Sequence, residues 1–221
     1  MSLERWRSYI CNSKLKMMEL LNVDIKSATQ LFSYSEYLAM VSTLADLGRV
    51  TGDVQSEGLL KTTEVNLHRI ARLNEKATLS ASLKGALSQV NTKWTWYVIT
   101  EGWCGDASQN LSYIAKMAEM NPNINLKLLL RDDNPEIMDA YLTNGGQAIP
   151  KLICINDETG EEVGTWGPRP QHIQFQVNAL KAEGPEAFKA HFGKKLHVWY
   201  GKDKGKSVQE EFTHFINIWN K

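Results

Sequence analysis

The chain has 221 residues with 25 Lys or Arg against 25 Asp or Glu, so it carries no net field that would recruit nucleic acid or an anionic membrane. No run approaches the roughly 20 apolar residues of a membrane span, and Met1-Ser2-Leu3-Glu4-Arg5-Trp6-Arg7 is not followed by the apolar stretch of a secretory leader. Three cysteines in a chain of this length do not make a disulfide framework, and a reducing, cytoplasmic setting is expected.

Residues 1–90 read as helical. Cys11 falls here and is expected to be a small residue on an amphipathic helix. Ser33 with Glu36 forms a capping box ahead of Tyr37, Leu38, Val41, Leu44 and Ala45, and Gly48 closes that helix. A second helix runs from near Glu57 to Leu73, with Asn66, His68 and Arg69 read as a solvated or interdomain face, and a short third starts at Ser80. Thr95 to Thr100 is a β-branched and aromatic run of strand length. From Ala107 the apolar residues Leu111, Ile114, Ala115 and Ala118 recur at helical spacing until Pro122, and Ile124 to Leu130 is a second strand, which makes residues 94–130 a βαβ unit.

Asn134 and Pro135 read as cap and first turn of a helix reaching Gly145. Pro150 opens an apolar strand, Lys151 to Ile155, which turns through 156–160 and returns as Glu161 to Trp166. After Gly167-Pro168-Arg169-Pro170 comes a helix from Gln171 to Lys181, then another from Pro185 to Tyr200, ended by Gly201. A final helix, capped by Ser207 with Glu210, places Phe212, Phe215, Ile216 and Trp219 on one apolar face.

Trp103-Cys104-Gly105-Asp106-Ala107 holds the chemistry. It puts a cysteine at the start of the crossover helix, where unpaired N–H groups and the helix dipole favour a thiolate by roughly 0.3 to 1 kcal/mol. Asp106 opposes this with about 0.6 kcal/mol in water and about 2.5 at an effective dielectric near 20, which leaves the sign of the net shift open. A second sulfur is not at hand. Position 107 is alanine, and Cys154 lies four strand residues beyond Pro150, about 13 Å away, and reads as core. The five histidines show no metal spacing and there is no phosphate loop, so no resident metal or cofactor is expected. Lys194, Lys195, Lys202, Lys204 and Lys206 form a local basic cluster, read as a solvated loop and helix end.

In order and spacing, Trp103-Cys104-Gly105-Asp106-Ala107 and Ile149-Pro150 resemble the thioredoxin superfamily, in which a Trp-Cys-x-x-Cys follows the first core strand and an apolar residue with cis-proline opens a later one. More narrowly, Glu101 to Ala107 and Thr165 to Pro170 resemble a bacterial group of uncharacterised thioredoxin-like proteins with a helical amino-terminal extension. The resemblance implies an α/β fold, a mixed sheet flanked by helices. The helical amino-terminal extension would span residues 1–90, the thioredoxin-like domain 91–184 and a carboxyl-terminal helical extension 185–221. Three departures stand out: Ala107 replaces the resolving cysteine, Asp106 the motif proline and Val98 the buried acid.

The resemblance implies a site made of Cys104, its motif neighbours Trp103, Gly105, Asp106 and Ala107, the proline loop Ile149-Pro150, and Trp166 and Arg169 beside them. Arg169 would anchor a carboxylate of glutathione, another low-molecular-weight thiol or a peptide, while Trp103 and Trp166 would form an apolar lip; packing is the competing role for each. Two functions stay open. Cys104 could exchange with a protein or small-molecule disulfide and be released by an external thiol such as glutathione, serving cell redox homeostasis. Alternatively, the same surface could bind a peptide or partner without turnover. A peroxide-reducing single-cysteine enzyme ranks third, because the cysteine lacks proline and threonine flanks.

Overall fold

The computed structural model describes residues 24–220, so the expectation for Cys11 lies outside the described residues. Three helices lead into the sheet: α1 (Tyr34–Asp46), α2 (Glu57–Lys76) and α3 (Ala81–Ser88). Sequence signals explain where each begins. Ser33 and Glu36 make both bonds of the capping box, and Ser56 and Ser80 accept the Leu59 and Leu83 N–H groups.

The sheet follows in the order β2-β1-β3-β4, with β1 (Trp94–Thr100), β2 (Ile124–Leu130), β3 (Lys151–Asn156) and β4 (Glu162–Trp166). β1 pairs parallel with β2 through the crossover helix α4 (Gly105–Glu119), whereas β1–β3 and β3–β4 are antiparallel. All seven residues of β1 are buried. That is the signature of a central strand covered on both faces. Phe32 extends the β2 edge through two 2.8 Å bonds with Leu128. These elements form a mixed sheet flanked by helices, an α/β thioredoxin-like fold.

After the short helix α5 (Pro135–Ala140), β3 and β4 complete the sheet, and the chain continues through α6 (Gln171–Ala182), α7 (Pro185–Asp203) and α8 (Lys206–Trp219). The apolar face of α8 enters the main core: Phe212 is fully buried, with its ring 5.5 Å from Trp96 and 5.2 Å from Trp166. Trp219 lies edge-on to Trp94, and Gly164 makes room for it, since a Cβ there would fall 2.2 Å from the indole nitrogen. The α6–α7 hairpin has a smaller cluster of its own, built on Ile173, Val177, Leu196 and Tyr200.

Several boundaries differ from the sequence reading. Gly201 does not end α7: the helix continues to Asp203 and stops where Lys204 (φ 52°) and Gly205 (φ 78°) turn left-handed. Ser207 does not cap α8, because Gly205 holds that position and the Ser207 hydroxyl donates instead to Asp203. Asn134 precedes α5 without capping it; its amide donates to Leu130 O and its carbonyl accepts from Thr29 N, which ties the amino-terminal segment to the end of β2. α5 ends at Ala140, short of Gly145.

Candidate functional site

β1 delivers the motif to the start of α4. Cys104 is the N-cap: its backbone is extended (φ −74°, ψ 114°) and its sulfur accepts the Ala107 N–H at 3.4 Å. The thiol in turn donates to the Ile149 carbonyl at 3.2 Å, next to the cis Ile149-Pro150 bond. The proline loop and the cysteine motif, 45 residues apart in sequence, therefore meet at the sulfur.

Cys104 is 7% exposed. Burial pushes the Cys104 thiol up to about 12, and the Asp106 carboxylate adds to the rise. The N–H groups of Ala107 and Asp106, and then Arg169, pull the other way without offsetting it. Desolvation, a contribution invisible in sequence, thus resolves the contest between dipole and carboxylate in favour of the neutral thiol.

Asp106 has a second role. It is 5% exposed and receives Arg169 in a forked pair, Nε at 3.1 Å from both oxygens and Nη2 at 2.5 Å from Oδ2. The Tyr200 hydroxyl donates to Oδ1 at 2.6 Å, and Asn110 Nδ2 donates to Tyr200 Oη at 3.0 Å and to the Asp106 carbonyl at 2.8 Å. Arg169 Nη1 donates to Gln174 Oε1, and its guanidinium lies 5.7 Å from the Phe192 ring centre. One buried carboxylate therefore fastens the loop before α6, α6 itself and α7 onto the cysteine helix. Burial disfavours the Arg169 cation, but the bonds and charge of Asp106 outweigh that and raise its pKa.

The remaining expected residues divide between packing and the rim. Ala107 is buried, and Gly105 faces His197 of α7, whose Cε1 is 3.8 Å from where a Cβ would sit. Trp103 is half-buried: its indole donates to Thr51 O, and Arg131 stacks over its ring at 4.7 Å. Trp166 belongs to the core, with its indole donating to Glu211. Cys154 is fully buried on β3 opposite Trp96. An open cleft of about 490 Å³ adjoins the proline loop, bounded by Ala148, Pro168, Arg169, Phe188 and Phe192.

Asn66, read as solvated, is buried and donates to Gly102 O, fixing the turn before Trp103. Glu101 is fully buried and accepts the Asp132 N–H at 3.0 Å. Burial raises its carboxyl pKa, and the hydrogen bonds from Thr51 and the Asp132 N–H oppose the rise without offsetting it. The folded state thus binds this proton more tightly than the unfolded chain does. Its contribution is complete below the ordinary glutamate pKa and is lost as pH rises through the window up to the raised value. Glu101→Gln is accordingly expected to gain stability relative to the parent as pH rises from 4 to 8; parallel urea midpoints across that range would refute this.

Among the described residues, no helix is long and apolar enough to cross a membrane, and no group of three or more His, Cys, Asp or Glu is placed to hold a metal ion. Two solved structures are similar at 18% identity, each over 84% of this chain and 98% of its own: a protein of unknown function from Pseudomonas aeruginosa (TM-score 0.49) and an HIV epitope-scaffold (TM-score 0.50). No curated protein matches. A family model described as thioredoxin matches residues 52–181, which span β1 to β4, the cysteine motif and both proline loops, and the chain belongs to that family.

Proposed function

We propose that this protein is a redox-silent thioredoxin-fold module that binds a peptide or protein partner beside the proline loop, with Cys104 kept as a masked, protonated thiol. The observation that carries this reading is the position of the sulfur, buried and donating to Ile149 O. Burial pushes the thiol up to about 12, so it is protonated at pH 7, and the thiolate is the nucleophile. The cleft beside Ala148 and Phe192 offers apolar and aromatic surface to an extended partner without exposing the sulfur.

The placement of Cys104 at an N-cap beside a cis-proline favours the second reading, monothiol exchange with glutathione or another external thiol as resolver. In that cycle the Cys104 thiolate attacks a disulfide, one thiolate leaves, and the external thiolate then displaces the Cys104 sulfur. Iodoacetamide labelling of the native protein against pH, alongside incubation with glutathione disulfide, separates the two. Silence predicts negligible labelling at pH 7 to 8 and no glutathione adduct by mass spectrometry. A stable adduct, with a labelling pKa at or below that of an ordinary cysteine, would establish exchange instead.

A further inference from the structure

An open groove of about 900 Å³ lies between α2, α4 and the turn joining α7 to α8, and shares no lining residue with the proline-loop cleft. One wall carries Arg69, Arg72 and Lys76, the i, i+3, i+7 stripe of α2, and the other carries His197, Lys204 and Lys206. The chain as a whole is charge-balanced, so basic composition does not account for this cluster.

The acids that line the groove are engaged. Asp203 accepts the backbone N–H and hydroxyl of Ser207, and Glu210 lies 3.6 Å from Lys206. Among the described residues no carboxylate is within ion-pairing distance of Arg69, Arg72, Lys76 or Lys204. Arg69 spends one donor on Asn66 Oδ1 and has others to offer. Burial lowers the Arg69 pKa and Arg72 lowers it further; His197 is lowered by burial and then by Arg69. Arg69 and Arg72 repel each other along the α2 wall, and an anion beside them relieves that repulsion.

We propose that this groove is a binding site for a small phosphorylated molecule of up to nucleotide size. A phosphate concentrates about two negative charges on one centre, which suits four cations that have no carboxylate partner among the described residues, and two arginines present planar forks that match its oxygens. Ser80 and Ser82 supply hydroxyl donors from the rim, while Leu73 and Tyr113 give the rest of the ligand an apolar and aromatic surface. The size of the recess falls within the range of small-molecule pockets. The site is independent of the thiol: its cations lie on α2 and the α7–α8 turn, and nothing in its chemistry uses Cys104.

Isothermal titration of the full chain with sodium pyrophosphate and with ADP, at low and at physiological ionic strength, tests the proposal. Saturable binding of at least one probe is expected, weaker at higher salt. It should weaken by about tenfold or more in Arg69→Gln/Arg72→Gln and stay unchanged in Lys194→Gln/Lys195→Gln, which removes the same charge from α7 outside the groove. If the arginine variant fails to fold, Lys76→Gln/Lys204→Gln serves in its place with the same expectation. Tighter binding of ADP than of pyrophosphate would identify a nucleotide-like ligand, and the reverse a simple phosphate; either supports the site. No saturable binding to the parent chain, equal loss in the control, or preference for a hexaglutamate peptide over both probes would overturn it.

Discussion

Asp106→Asn is expected to lower stability by about 3–5 kcal/mol, because it leaves the Arg169 guanidinium buried against an amide that cannot neutralise it. Only 11% of the Arg169 side chain and 7% of the Asp106 side chain are exposed, so solvent cannot take over the lost interaction. For a chain of this size the loss corresponds to a fall in melting temperature on the order of 10 °C. Tyr200 also loses its charged acceptor, which weakens the seat of α7 on α4. Iodoacetamide labelling of Cys104 should quicken in the same variant, since after burial the Asp106 charge is what holds the thiol neutral, against the pull of Arg169. The double variant Asp106→Leu/Arg169→Met should be markedly less damaged than the sum of its single changes, as expected when both charges of a buried pair leave together. An unchanged melting temperature in Asp106→Asn would show that the pair does not hold the loop and helices in place.

Phe212→Ala should cost about 3–5 kcal/mol for a different reason, loss of apolar contact and the cavity left behind. Its ring is fully buried between Trp96 of the central strand and Trp166 of the edge strand. Two indoles anchored in a sheet collapse poorly into such a gap, which places the cost high in the range. Chemical denaturation should report it as a lower midpoint with the slope retained. A loss below about 1 kcal/mol would mean that α8 is a peripheral cover and not part of the core.

Local chemistry made most of the sheet readable. The β-branched and aromatic run of Thr95 to Thr100, the stop at Pro122 and the turn at 156–160 each act within a few residues, and the strands lie where those signals put them. Ser33 with Glu36 worked for the same reason, since the capping box is a four-residue device. Ser207 with Glu210 has the same spacing and failed, because Asp203 and the left-handed Lys204 and Gly205 had already fixed the chain there.

The site was readable as a list of residues but not as a set of pairings. Asp106 was weighed only against the thiol, and Arg169 only against a carboxylate on a ligand, because nothing local links positions 63 residues apart. Tyr200, which completes the network, lies 94 residues from Asp106 and carried no signal beyond a place on a helix. Burial of the sulfur was equally out of reach, since it depends on how later segments fold back over α4.

The separate small core of the α6–α7 hairpin has a consequence for dynamics. Ile173, Val177, Leu196 and Tyr200 pack with one another, whereas α8, which follows them in the chain, is built into the main core. The hairpin is thus an excursion that can detach as a cooperative unit while the sheet and α8 stay folded. Its amide hydrogens should exchange with solvent through that partial opening, and those of α8 only through global unfolding. The order of release runs against the order of the chain, and the local equilibrium of the hairpin governs how often the start of the cysteine helix is uncovered.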